Sequence, residues 1–204
     1  MLKKIITASI LTSSMLIAQS GVGINVNKED LEIEGTLDSR NLAALQTSST
    51  IYLADFNFLN IESHRKDARL LGVGLGATNQ LEGVDGVELT FGAKLIVSHV
   101  DDRRRDIDSS WFSAFPLMGM VRYSFPPLMF NIPPISLETK LLYAPGALSF
   151  GNSEKYSEFR VAGDIEMINN VKLYVGYRNI ITGYQSDDDY LFSNGWYGGM
   201  KFTY

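Results

Sequence analysis

From Thr50 onward, apolar side chains recur at every second position. In "IYLADFNF", Tyr52, Ala54, Phe56 and Phe58 share one face against Asp55 and Asn57. In "LLGVGLGAT", Leu71, Val73, Leu75 and Ala77 oppose Gly72, Gly74 and Gly76. "VELTFGAKLIV" sets Val87, Leu89, Phe91, Ala93, Leu95 and Val97 against Glu88, Thr90, Gly92 and Lys94. A period of two is the signature of a strand with one apolar and one polar face. "FPLMGMVRYSF", "ISLETKLLY", "FRVAGDIEM", "VKLYVGY" and the terminal "WYGGMKFTY" continue the series. This predicts eight strands, most of about the length that a tilted membrane-crossing strand needs. Residues 21–49 carry two weaker alternations, "INV" and "LEIEGTLD". They read either as an N-terminal periplasmic arm or as two further strands, which would make ten.

The connections alternate in character. "NIESHRKDAR", "SHVDDRRRDIDSS", "APGALSFGNSEKYSE" and "QSDDDYLFSN" are long and polar, whereas "NQLEGVDG", "PPLMFNIPP" and "NN" are shorter. Long loops on one side and short turns on the other mark an outer-membrane barrel, and an even strand count puts both termini on the periplasmic side. The fold class expected is therefore all-β, a closed antiparallel transmembrane barrel of about eight strands, with ten as the alternative. Pro116 interrupts the fourth strand and removes a ladder donor, so a bulge is expected there.

In such a barrel the mixed faces point inward. They carry Glu88, Lys94, Glu138, Lys140, Arg160, Asp164, Glu166, Lys172, Arg178 and Lys201, together with Asp55, Asn57 and Arg122. Both signs are nearly balanced, so a charge network that plugs the lumen is expected, because a buried charge without a partner is costly. Gly72, Gly74, Gly76 and Gly92 leave room for long Lys and Arg side chains. The opposite face is apolar, with Tyr52, Trp111, Phe125, Tyr143, Tyr177, Trp196 and Tyr204 toward the strand ends, as in the aromatic belts of membrane barrels. Trp196, Met200, Phe202 and Tyr204 on one face of the last strand suit the closing strand and the assembly signal that barrel machinery reads.

The N-terminus sharpens the picture. Lys3 and Lys4, an apolar run from Ile5 to Ile17, and Ala18-Gln19-Ser20 have the form of a secretory signal cleaved near Ser20. The expected organisation is a signal peptide over 1–20, an arm or extra strands over 21–49, and a barrel over 50–204. Without Lys3 and Lys4 the chain has 16 basic against 23 acidic residues, a net charge of −7 that disfavours nucleic acid as a partner. It has no cysteine, so neither disulfides nor cysteine-held metal enter the argument. No cofactor or metal is expected.

Taken in order, "GVGLG", "VELTFGAKL", "LLYAPGAL", "KLYVGYRN", an acidic stretch and a glycine-containing terminal strand resemble the YfaZ-type outer-membrane proteins over roughly residues 31–204. The resemblance implies a bacterial outer-membrane barrel. It carries no functional residue with it, since no agreed activity belongs to the family.

Candidate chemistry is sparse. Both histidines follow a serine in polar segments, and Ser98, His99 and Asp101 form the better placed set for a lipid-directed nucleophile, base and carboxylate. Arg103, Arg104 and Arg105 suit phosphate recognition, with lipopolysaccharide the ligand at that height. Asp187, Asp188 and Asp189 lack the spacing of a dedicated cation loop. The expectation is a monomeric barrel with a structural or envelope-associated role and polar surface loops. It would contact outer-membrane lipid, lipopolysaccharide and the barrel assembly machinery. An enzyme acting on envelope lipid and a narrow ion channel are the alternatives.

Overall fold

The computed structural model describes residues 20–39, 50–63, 66–102, 107–126, 133–184 and 187–203. Their strands are β1 (Gly21–Val26), β2 (Asp30–Asp38), β3 (Ile51–Ser63), β4 (Lys66–Gln80), β5 (Val87–Asp102), β6 (Ile107–Ala114), β7 (Leu117–Ser124), β8 (Ile135–Ala144), β9 (Ser149–Phe150), β10 (Ser153–Ile168), β11 (Val171–Tyr184) and β12 (Asp187–Thr203). Each pairs antiparallel with its neighbours. β4 joins β5 and β1 joins β12, so the sheet closes on itself. β6 and β7 are the two halves of one wall strand, both laid along β5, and the two-residue β9 adds only to β6. The wall is an up-and-down barrel of ten strands.

This corrects the expectation of eight and bears out the alternative of ten. Gly21–Asp38 is not an arm beside a barrel that starts at residue 50. β1 and β2 fill the wall between β12 and β3. β1 is only six residues long and presents Gly21, Gly23 and Asn25 inward, so its alternation is weak. Val22, Ile24 and Val26 point outward. The last strand pairs with both β11 and β1, as its aromatic pattern predicts for a closing strand. Pro116 produces a break in the strand where a bulge was expected. The ladder stops at Ala114 and resumes at Leu117, while the Pro116 carbonyl accepts the Lys94 amide at 3.0 Å.

The barrel has two storeys with opposite polarity. In the storey nearer the chain termini the wall is apolar outside and polar inside. On β5 the outward positions run from Val87 to Val97, about 33 Å along the strand and about 25 Å in height once tilted, the thickness of an outer-membrane apolar band. Tyr52, Tyr123 and Phe125 sit toward its lower rim, and Trp111, Tyr143, Tyr177 and Trp196 toward the upper. Tyr123 meets Phe125 and Tyr177 meets Trp196 edge-on, at 4.7 and 5.8 Å between ring centres.

Above this belt the alternation inverts. Leu59, Ala68, Leu70, Ile96, Val100, Phe112, Ile180, Tyr190 and Phe192 turn inward and form a core closed to solvent, while Glu62, Asp67 and Arg69 face out. The polar segments expected as long loops are therefore mostly strand. β3 runs to Ser63 and β4 starts at Lys66; β5 runs to Asp102 and β6 starts at Ile107. Their polar residues cover the outside of this second storey.

Candidate functional site

The lumen concentrates the charged side chains, in tiers. The highest tier lies directly beneath the apolar core and is centred on Glu32 of β2, which has no exposed surface. Its carboxylate accepts five hydrogen bonds. Asn25 donates at 2.8 Å, Asn57 at 2.9 Å, Arg160 at 3.0 and 2.7 Å through two nitrogens, and Arg178 at 2.5 Å. Arg178 also donates to Asp30 at 2.7 Å and lies over the Tyr197 ring. Arg160 also pairs with Glu158, which accepts from the Tyr156 hydroxyl at 2.5 Å. Arg160 and Arg178 face each other in register on β10 and β11. Two cations so placed repel, and Glu32, reaching across the lumen from β2, is the charge that lets both be buried.

Below this, Asp55 of β3 pairs with Lys94 of β5 and, at 3.4 Å, with Lys140 of β8. Lower still, Arg122 of β7 bridges Glu138 at 3.0 Å and Asp164 at 2.7 Å. Glycines make space for these side chains. A Cβ at Gly72 would lie 2.5 Å from Lys94 Cε, and one at Gly176 would lie 2.7 Å from the Tyr197 ring and hydroxyl. A polar cavity of about 470 Å³ remains, lined by Glu88, Lys94, Glu138, Lys140, Arg160, Asp164, Glu166, Lys172 and Lys201 among others. Its lining includes Asp38, Asn170 and Thr203 at the terminal rim, and Met118 is its one member from the apolar core. The cavity is thus a well whose described lining runs from the terminal rim up to the Glu32 tier that floors it.

A family model described as "YfaZ precursor" matches residues 2–204. The chain belongs to the YfaZ family. No curated protein matches this YfaZ chain. Among solved structures it is similar to the NanC porin in a rhombohedral crystal form, at 14% identity over 91% of this chain and 99% of that one, with a TM-score of 0.41. It is also similar to the outer membrane channel DcaP of Acinetobacter baumannii, at 12% identity over 93% and 60% of the two chains, TM-score 0.38. Likeness at this level carries no argument about what the YfaZ chain binds or conducts.

All ten residues expected in a lumen network face inward. Nine line the well, and Arg178 is buried above it. Sequence reasoning missed Asp30, Glu32 and Glu158, which complete the highest tier. The first two lie in the segment left open between an arm and two further strands, and Glu158 lies in one taken as a loop. A strict alternation "DLEIE" was the available signal for Asp30 and Glu32.

The candidate nucleophile and base are not brought together. Ser98 and His99 are adjacent on β5 and so point to opposite faces. Ser98 is buried within the core, whereas His99 is outside, edge-on to Trp111 at 5.0 Å. Asp101 shares the outer face with His99. A triad from these residues would have to pass through the wall. His64, Arg103, Arg104, Arg105 and Tyr204 lie outside the described residues, as do the side chains of Asp187 and Asp188; Asp189 pairs with Lys155 at 2.8 Å. Among the described residues no cluster of His, Asp and Glu is arranged to hold a metal ion. Trp196, Met200 and Phe202 stand on the outer face of β12.

Proposed function

We propose that this chain is a closed, non-conducting barrel of a bacterial outer membrane with a structural, envelope-associated role. It would be exported by a signal cleaved near Ser20 and would act as a monomer in contact with lipid and lipopolysaccharide. The observation that carries the reading is the double seal across the lumen: the Glu32 tier and, directly above it, the apolar core. The outward apolar band supports lipid contact, and β1 beginning at Gly21 is consistent with cleavage just before it. The aromatic face of β12 supports recognition by assembly machinery, and the "DRRR" segment is the proposed lipopolysaccharide contact. Planar-bilayer recording tests the central claim. Purified, heat-modifiable protein is expected to give no discrete conductance steps in 1 M KCl. Steady ohmic steps at low voltage would reinstate the channel alternative.

A further inference from the structure

The wall of the upper storey is incomplete on one side. β1 covers β12 only from Thr203 to Gly198, where Val26 is its last partner, and the chain then turns back into β2. β11 follows β12 much further, to Asp187. Among the described residues, no strand pairs with the other edge of β12 above Gly198. The gap begins beside Trp196, at the upper aromatic rim. Across it stands the end of the β3–β4 hairpin, where Ser63 pairs with Lys66.

A bare strand edge invites pairing with another chain, and lysine is one of the residues that blunt it. Lys66 reaches across the gap to this edge. Its Nζ donates to the Phe192 carbonyl at 2.6 Å and to the Leu191 carbonyl at 3.3 Å. It also lies 4.9 Å from the centre of the Tyr190 ring and 5.7 Å from that of Phe192. Successive carbonyls of a regular strand point to opposite edges, so one donor does not ordinarily meet both. It does so here because the β11–β12 ladder slips: Ile180 faces Ser193 and Ile181 faces Leu191, which leaves Phe192 as a bulge. Asp102 faces Lys66 in register on β5 and accepts from the Tyr190 hydroxyl at 3.0 Å. The Lys66–Asp102 corner thus holds β12 by side chains where the rest of the wall is held by sheet hydrogen bonds.

We propose that this contact is a latched lateral seam. When Lys66 lets go, β12 above Gly198 parts from the β3–β4 hairpin and the upper core opens sideways, while the Glu32 tier below stays closed. A ladder has to break bond by bond, whereas here one ammonium group carries several charge-assisted contacts that are lost together. The bulge at Phe192 interrupts the ladder with β11, so the upper part of β12 can turn without unzipping the strand beneath it. The open state is a minor one, since Tyr190 and Phe192 leave the core with the strand.

The chain has no cysteine, so single cysteines can report the opening. Ala68 follows Lys66 on the inward face of β4, and Ala114 lies on β6, on the far side of β5; both are fully buried. The whole folded protein in detergent, carrying Ala68→Cys or Ala114→Cys, is treated with a charged maleimide, and the labelling rates are compared with and without Lys66→Met. That substitution keeps an apolar stem and removes the ammonium group. It is expected to speed labelling of Ala68→Cys by about tenfold or more, the loss of one hydrogen bond from a charged donor, and to leave Ala114→Cys within about twofold. The heat-modifiable band should persist, and Lys66→Arg should keep the rate slow. Tyr190→Phe, which removes the bond to Asp102, should give a smaller acceleration at Ala68→Cys. An unchanged rate at Ala68→Cys in Lys66→Met overturns the latch. Equal acceleration at both cysteines overturns the seam and indicates a general loosening of the core. If Lys66→Met gives no folded band, an unchanged rate in Tyr190→Phe overturns the seam as well. Rapid labelling of both cysteines with Lys66 in place overturns the closed core, and the seam with it.

Discussion

Glu32 is where the lumenal seal can be tested most sharply. Glu32→Gln keeps the shape of the side chain and removes its charge, leaving Arg160 and Arg178 opposed on adjacent strands. Breaking one partner out of a buried ion pair costs about 3–5 kcal/mol. Arg178 keeps Asp30 and Arg160 keeps Glu158, so the lower end, about 3 kcal/mol, is the expected loss. With a urea dependence of about 1–3 kcal/mol per molar, the unfolding midpoint should fall by about 1–3 M. Urea titration in detergent micelles, followed by loss of the heat-modifiable band and by fluorescence of Trp111 and Trp196, measures it. Adding Arg160→Gln should cost less than the sum of the two single changes, because one cation then leaves with its missing partner. A loss under about 1 kcal/mol for Glu32→Gln, or strict additivity, would mean that water reaches the tier, and the seal would not exist.

Two further substitutions probe the wall. At Gly92 a Cβ would run into the Leu75 carbonyl oxygen and lie 2.7 Å from Gly76 Cα, both backbone, whereas at Gly35 nothing lies within 4 Å. Gly92→Ala should therefore lose more than about 2 kcal/mol or fail to give the folded band, while Gly35→Ala should stay within about 0.5 kcal/mol by the same titration. Leu75 and Arg69 both point outward from β4, one within the apolar belt and one above it. Leu75→Arg should cost about 2–4 kcal/mol in lipid vesicles and Arg69→Leu close to nothing; equal costs would remove the distinction between the storeys.

Much of this architecture was legible because lipid imposes a rule on sequence. Where the outer face must be apolar, β5, β8, β10 and β12 alternate with few exceptions, and Lys94, Glu138, Arg160 and Lys201 could be placed inside from that alone. The rule fails where lipid ends. From Leu59 the inward face of β3 becomes apolar and the outward Asn60 and Glu62 polar, so the same strand reads as strand followed by loop. Glu158 was lost with that misreading on β10. Asp30 and Glu32 were lost for another reason: β1 is short and glycine-rich, and β2 shows its pattern only once β1 gives it a neighbour. The Ser98–His99 pair shows the converse error. Proximity in sequence suggested a dyad, and the pleat puts its members on opposite sides of the wall.

The two storeys also bear on whether the lumen could open. Ten strands enclose more width than side chains can fill, which is why the lower storey keeps a cavity. The upper storey closes only because its inward residues are large and apolar and lie beyond the lipid, where the outward face is free to be polar. The Glu32 tier sits at the junction, and the Tyr156 hydroxyl ties it to the core through Glu158. A path through the barrel must therefore part this tier and displace the core above it. Parting the tier alone costs about 3 kcal/mol, which at tenfold per 1.4 kcal/mol holds an open state below about one molecule in a hundred. Displacing Leu59, Phe112 or Phe192 adds the loss of side chains that are fully buried, about 2–5 kcal/mol for each one emptied from its place. The two costs fall on the same motion, so they add, and their sum is the physical ground for the proposed closed state.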